Sequence, residues 1–183
     1  MKNRMTGKFV SRILAMLVML PASAGALADE APALRTEFVF EARVKVDKPT
    51  VVGQSSRGLR RIVPILGGLV SGPALNGNVV AGGADWQYVR PDGAWELDAR
   101  YTIATDDGVL IMVENRGVRF GKPEVMERLA KGEKVDPAEV YCRTVATFEA
   151  PRDSKYAWLN HTLIIGNVER RPDAAIVRFY KVD

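Results

Sequence analysis

The sequence predicts an all-β protein: a small closed antiparallel barrel of about eight to ten strands, with one short helix near residues 123–131. Three observations predict it. Apolar and polar residues alternate with period two along most of the chain after residue 35. Pro91-Asp92-Gly93 and Asp106-Asp107-Gly108 supply hairpin turn chemistry between long strand-like runs. Helical spacing occurs once, in a chain long enough for one domain with a real core.

The first 28 residues stand apart. Lys2, Arg4, Lys8 and Arg12 precede a short apolar run, Ile13–Leu20, and Ala26-Leu27-Ala28 fits the small-x-small cleavage pattern. A secretory signal cut between Ala28 and Asp29 is expected, leaving residues 29–183 as a single domain exported to the periplasm or beyond. The apolar run is too short for a spanning helix, so no membrane span is expected after cleavage. These four bases account for the whole excess of 26 Lys+Arg over 22 Asp+Glu. The mature part is formally neutral and shows no nucleic-acid footprint.

Phe38, Phe40, Ala42, Val44 and Val46 share one strand face until Lys48-Pro49 interrupts it. Residues 53–58 read as a loop. Arg60–Leu66 and Leu69–Leu75 read as two strands broken at Gly67-Gly68, with Pro73 marking an edge or bulge. Strands follow at Trp86–Val89, Trp95–Thr105 and Leu110–Phe120. Pro123 opens a helix carrying Val125, Met126, Leu129 and Ala130, which ends before Gly132. Strands resume at Tyr141–Phe148, His161–Val168 and Ala175–Val182.

No P-loop, dinucleotide fingerprint or nucleophile elbow is present. His161 is the only histidine, so neither a histidine-rich metal site nor a catalytic triad is expected, and Cys142 reads as a small buried residue. The candidates are polar residues on strands. Along Trp95–Ile103, Glu96, Asp98, Arg100 and Thr102 share the face opposite Trp95, Leu97, Ala99 and Tyr101. Two readings stand: a solvated surface pair of Asp98 and Arg100, or a lumen pair, since a buried arginine held by an acid suits carboxylates and phenolates. Arg143, which shares a face with Tyr141, is a second candidate of the same kind. Asp85 beside Trp86, and Tyr101, are the candidate proton donors. Glu96, Asn115, Trp158 and Asn160 complete the candidate substrate-binding set.

Several stretches together resemble one family. They are Arg57-Gly58, Arg60-Arg61, PILGGLVSGPALNGNVVAGGADW (64–86), DG (92–93), LDARY (97–101), DDG (106–108), VENRG (113–117), YCRT (141–144), YAWLN (156–160) and AAIVRFYKV (174–182). Their order and spacing, from Glu37 to Val182, are similar to those of the DUF3237 family, also called UPF0311. The resemblance implies a barrel like that of allene oxide cyclase. It also implies kinship with cofactor-free lyases of lignin-derived aromatics, which open a phenylcoumaran ring and release carbon dioxide or formaldehyde, leaving a stilbene. The sequence departs from the family pattern at Cys142, where an aromatic is common, and at Asn167-Val168-Glu169, which replaces a glycine-rich stretch.

The expectation is therefore a cofactor-free, metal-free lyase acting on a small aromatic or carboxylate compound. Asp85, Arg100, Tyr101 and Arg143 would be catalytic; Trp86, Glu96, Asp98, Asn115, Tyr141, Trp158 and Asn160 would bind substrate. A non-catalytic periplasmic ligand carrier and a structural, self-associating barrel are the alternatives. A small molecule is the expected partner in the first two, and a homo-oligomer in the third.

Overall fold

A computed structural model describes residues 33–183; the expected export signal and its Ala28-Asp29 cut lie outside the described residues. The elements run β1 (Thr36–Val46), β2 (Thr50–Ser55), β3 (Gly58–Ser71), β4 (Gly77–Val79), β5 (Ala84–Val89), β6 (Trp95–Thr105), β7 (Leu110–Gly121), α1 (Pro123–Ala130), β8 (Val140–Glu149), β9 (Ile164–Arg170) and β10 (Ala174–Val182). All pairings are antiparallel.

The sheet closes. β1 pairs β10, consecutive hairpins lead back from β10 to β6, and β3 pairs β1 on its far edge. β4 and β5 each bridge β3 and β6, so they act as one interrupted strand of an eight-stranded barrel. β2 pairs only β3 and projects beyond the closed wall. Closure removes the sheet edges that eight such strands would otherwise expose.

The expected strands are present, with four informative differences. The break expected at Gly67-Gly68 is a bend within one strand. Both glycines have positive φ, +119° and +151°, and the β1–β3 register shifts there. A Cβ on Gly68 would collide with the Arg43 carbonyl, so only glycine lets the two backbones approach this closely. Residues 50–55 form β2 rather than a loop. In β1 a register shift between Phe38 and Phe40 puts Val39 and Phe40 both inside and leaves Phe38 outside, packed on Tyr180. His161 lies in a short 3₁₀ turn, Ala157–His161, ahead of β9.

One end of the barrel is filled. Phe40, Phe148 and Phe179 stack there with ring centroids 4.7–6.0 Å apart, and Ile103, Ile111, Leu75 and Leu159 are fully buried around them. Cys142 is a buried free thiol on the inner face. At the other end the lumen is empty. The helix α1, buried through Val125, Met126 and Leu129, lies at this mouth with the β1–β2 and β9–β10 turns.

Candidate active site in the barrel lumen

The cavity has a volume of about 520 Å³ and opens between Lys48, Lys131 and Asp173. That volume is in the usual range for small-molecule sites. Its walls are mostly apolar, but strand parity also turns a set of polar side chains inward: Arg61 from β3, Asp85 and Gln87 from β5, Tyr101 from β6, Asn115 and Arg119 from β7, and Thr144 from β8. Arg170 stands at the lip.

Three of these groups form a chain. Arg61 Nε donates to Gln87 Oε1 at 2.7 Å, and Gln87 Nε2 donates to Asp85 Oδ2. Asp85 Oδ1 accepts from the backbone N–H of Asp98 at 3.0 Å. Removal from water pushes the Asp85 carboxyl up from its ordinary value. The hydrogen bonds from Gln87 and Asp98 and the charges of Arg119 and Arg61 oppose this without cancelling it. The same desolvation, with the charge of Arg119, lowers the Arg61 guanidinium to about 10, although Asp85 pulls it the other way.

Trp95 lies under both lumen arginines: the Arg61 guanidinium carbon is 3.8 Å from its ring centroid and that of Arg119 is 5.5 Å away. Arg119 is only 3% exposed. Among the described residues it has no hydrogen-bond or ion-pair partner, so its fork of donors is open to the cavity. Arg170 donates to the carbonyls of Arg171, Pro172 and Ala174, which fixes it across the β9–β10 turn. Arg61, Arg119 and Arg170 outnumber Asp85 along this part of the lumen, which suits an anionic ligand.

Of the expected site residues, the structure brings Asp85, Tyr101 and Asn115 together in this cavity. It puts the others elsewhere. Asp98 and Arg100 point outward and pair with each other at 3.2 Å. Glu114 and Arg116, directly opposite on β7, extend this into a surface network. The lumen reading of that pair is therefore corrected, and the apolar-in parity of β6 is the reason. Glu96 is also outside, bound to Arg57 at 2.7 Å.

Arg143 and Tyr141 face out from β8. Arg143 donates to the Cys142 carbonyl and to Asn167 Oδ1 and lies against the Tyr141 ring. Trp86 points outward because Asp85 and Gln87 take the inner parity of β5, so it forms no cavity wall. Trp158 sits in the 3₁₀ turn and packs against the core. Asn160 clamps the Ala150 backbone through bonds of 2.7 and 2.9 Å, a structural task at the filled end.

Sequence reasoning missed Arg61, Gln87, Arg119 and Thr144. A signal for them was present. Arg61 shares parity with Val63 and Ile65, and Arg119 with Ile111 and Val113. A charge on the apolar face of a strand marks the lumen; a charge on the polar face, like Arg100, marks the surface.

A closed barrel with a blind, cation-lined lumen and Trp95 in its wall belongs to the class of β-barrels whose interior has room for one small molecule. The chain belongs to the DUF3237 family, whose model, described as a protein of unknown function, matches residues 34–182. It is 40% identical over 151 residues to a UPF0311 protein of Rhodopseudomonas palustris, covering 82% of this chain and 98% of the relative. The crystal structure of that Rhodopseudomonas protein superimposes with a TM-score of 0.79 over 83% of this chain and 99% of its own. A UPF0311 protein of Clostridium acetobutylicum is 44% identical over 147 residues, 80% of this chain and 92% of the relative. An enzyme is also among the relatives: the hydroalkoxylation enzyme phnH of Penicillium herquei is 33% identical over 148 residues, 80% of this chain and 83% of the relative.

Proposed function

We propose that the lumen is the active site of a cofactor-free lyase that opens an aryl ether ring in a small aromatic carboxylate of the phenylcoumaran type. One observation carries the reading. A carboxyl whose pKa burial raises, Asp85, shares a closed cavity with Arg119, a buried guanidinium that no protein group occupies. Perturbed acids beside anion-holding groups are the usual equipment of acid–base catalysis.

In the ring-opening step the ether C–O bond breaks and its electron pair goes to the departing phenolate oxygen. The bond from carbon to the neighbouring carboxylate supplies the pair that forms the alkene, and carbon dioxide leaves. Asp85 gives its proton to the phenolate oxygen and is reprotonated from solvent through the mouth. Arg119, with Arg61 beside it, meets the negative charge as it develops. Trp95 provides an aromatic wall. Tyr101, whose phenol burial keeps neutral, donates a hydrogen bond rather than a proton.

The relative's activity supports the reaction class. Hydroalkoxylation makes a C–O bond by adding an O–H across an alkene; the proposed step breaks such a bond and forms an alkene, with carbon dioxide rather than a proton leaving the neighbouring carbon. The reading includes export: the protein works outside the cytoplasm after cleavage at Ala28-Asp29, which fractionation and N-terminal sequencing of the native protein check.

The chemistry is tested by incubating the purified protein with phenylcoumaran carboxylic acids and following stilbene absorbance and carbon dioxide. Turnover that disappears in Asp85→Asn and in Arg119→Met is expected. Saturable binding without product, or wild-type turnover retained by both variants, refutes it.

A further inference from the structure

Arg61 and Asp85 are placed to meet directly, yet they do not. In the β3–β5 ladder Arg61 stands opposite Gln87 and Val63 stands opposite Asp85, so Arg61 is a diagonal neighbour of Asp85 on the inner face. Diagonal neighbours lie about 7–8 Å apart, within reach of a long side chain. A buried guanidinium beside a carboxyl ordinarily forms a forked ion pair. Here Arg61 Nε donates instead to Gln87 Oε1 at 2.7 Å, and Gln87 Nε2 donates to Asp85 Oδ2.

The direction of the amide follows from the donors and acceptors around it. A guanidinium only donates, so the Gln87 oxygen faces Arg61 and the Gln87 nitrogen faces Asp85. Gln87 is 4% exposed, which keeps water from competing for either bond. The other carboxyl oxygen, Asp85 Oδ1, accepts the Asp98 backbone N–H at 3.0 Å. Each oxygen of Asp85 therefore takes one neutral donor.

The remaining charged and titratable groups of the cavity stand off from the carboxyl. They are Tyr101 on β6, Arg119 on β7 and Arg170 on β9, with Asp47, Lys48, Lys131 and Asp173 at the mouth; β1, β8 and β10 bring no charged group to it. Arg61 is thus the cation with the shortest path to Asp85 along the ladder. Neutral donors hold a carboxylate less strongly than a guanidinium does. A forked pair would fix Asp85 as an anion and would occupy the arginine as well. With the amide between them, the Arg61 guanidinium lies over the Trp95 ring, and among the described residues its terminal nitrogens make no hydrogen bond.

We propose that Gln87 is a positioning residue: its amide is a spacer that holds Arg61 off Asp85, so that the carboxyl keeps a proton to give and the guanidinium stays free for the ligand. This rests on the reading of Asp85 as the acid of the lumen and adds the group that lets an acid and an anion-holding cation share one wall.

Carbon-13 NMR of the labelled Asp85 carboxyl, titrated in the ligand-free protein, tests this. Gln87→Ala, which makes room for the arginine, and Gln87→Leu, which removes both bonds with little change in volume, are each expected to lower the Asp85 midpoint by about one pH unit or more, the effect of a guanidinium in contact with a carboxylate. Adding Arg61→Met to either is expected to return the midpoint to the wild-type value or above it. The sign is diagnostic: loss of a glutamine that only donates to the carboxylate raises the midpoint. An unmoved or raised midpoint in the single variants, or one that Arg61→Met does not restore, overturns the spacer. In the wild type the Gln87 side-chain amide and Arg61 Nε proton resonances are expected to shift at the Asp85 midpoint; resonances that ignore it overturn the spacer without any variant. Turnover is read separately, and the alkaline limb of kcat/KM is expected to move down with the midpoint. Midpoints that move as stated without turnover remove the lyase reading and leave the spacer; turnover with unmoved midpoints does the reverse.

Discussion

The Asp85 carboxylate accepts the backbone N–H of Asp98 at 3.0 Å, in a stretch of the β5–β6 ladder where Trp86 and Gln87 have no cross-strand partners. Register is unchanged on either side: Asp85 faces Ala99 and Tyr88 faces Glu96. An acidic side chain thus takes a donor at the point where the ladder is interrupted. This ties the position of a lumen group to the backbone of the wall, so its geometry is set by the sheet rather than by a loop. The side chain of Asp98 meanwhile faces water, where burial raises its pKa less than Arg100 and Arg116 lower it.

Asp85 makes stability depend on pH in a defined direction. Its folded pKa is raised above the ordinary 3.8, so between that value and the folded pKa the native state binds more protons than the unfolded one. Its stabilising contribution is full below 3.8 and falls as pH rises through the folded pKa. Thermal melts of wild type and Asp85→Asn across this range are expected to show wild type losing ground to the variant as pH rises. In turnover, the same substitution is expected to cost on the order of a hundred- to ten-thousand-fold.

Arg119 illustrates a stability cost held for binding. A buried guanidinium without a partner is expensive, and an apolar residue of similar length relieves that cost. Arg119→Met is expected to stabilise the empty barrel by about 1 kcal/mol, roughly 2–4 °C for a domain of this size, while removing affinity for aromatic acids. Differential scanning calorimetry and titration on the same sample check both. The variant also relieves Arg61 of a repelling neighbour, so the Arg61 pKa is expected to rise from about 10.

Arg100→Ala and Arg143→Ala are expected to leave turnover and ligand affinity unchanged. Both guanidiniums are outside the wall, engaged with Asp98 and Glu114 or with Asn167. Solvated pairs of this kind contribute little. A clear loss of kcat in either variant would contradict the outward placement.

Gly117→Ala is expected to destabilise the barrel by about 1–3 kcal/mol, because the new methyl overlaps the Arg143 carbonyl and Thr144 and the strands cannot part without breaking the β7–β8 ladder. Denaturant unfolding with an unchanged m-value checks it. Gly82→Ala offers the comparison: no atom stands near its Cβ, and its φ of +105° is the only source of strain.

Much of the fold was legible because a half-buried strand writes its burial into every second residue. On β6 the alternation of Trp95, Leu97, Ala99, Tyr101 and Ile103 with Glu96, Asp98, Arg100 and Thr102 determines which face is inside, and on β8 Cys142, Thr144, Ala146 and Phe148 do the same. Turn residues and the lone helical repeat determine the hairpin order and α1. Alternation cannot say whether an inward position meets another side chain or empty space. Phe40, Phe148 and Phe179 fill one end of the barrel, while Asp85, Arg119 and Asn115, on equally inward positions, border a cavity. Nor does it say that a bulge will turn Phe38 outward. Those outcomes depend on which strands become neighbours and how far apart the opposite walls stand, distances fixed only when the sheet closes. The sequence by itself determined the barrel and the facing of its strands; tertiary closure decided where the lumen is open, and so which charges are a site and which are surface.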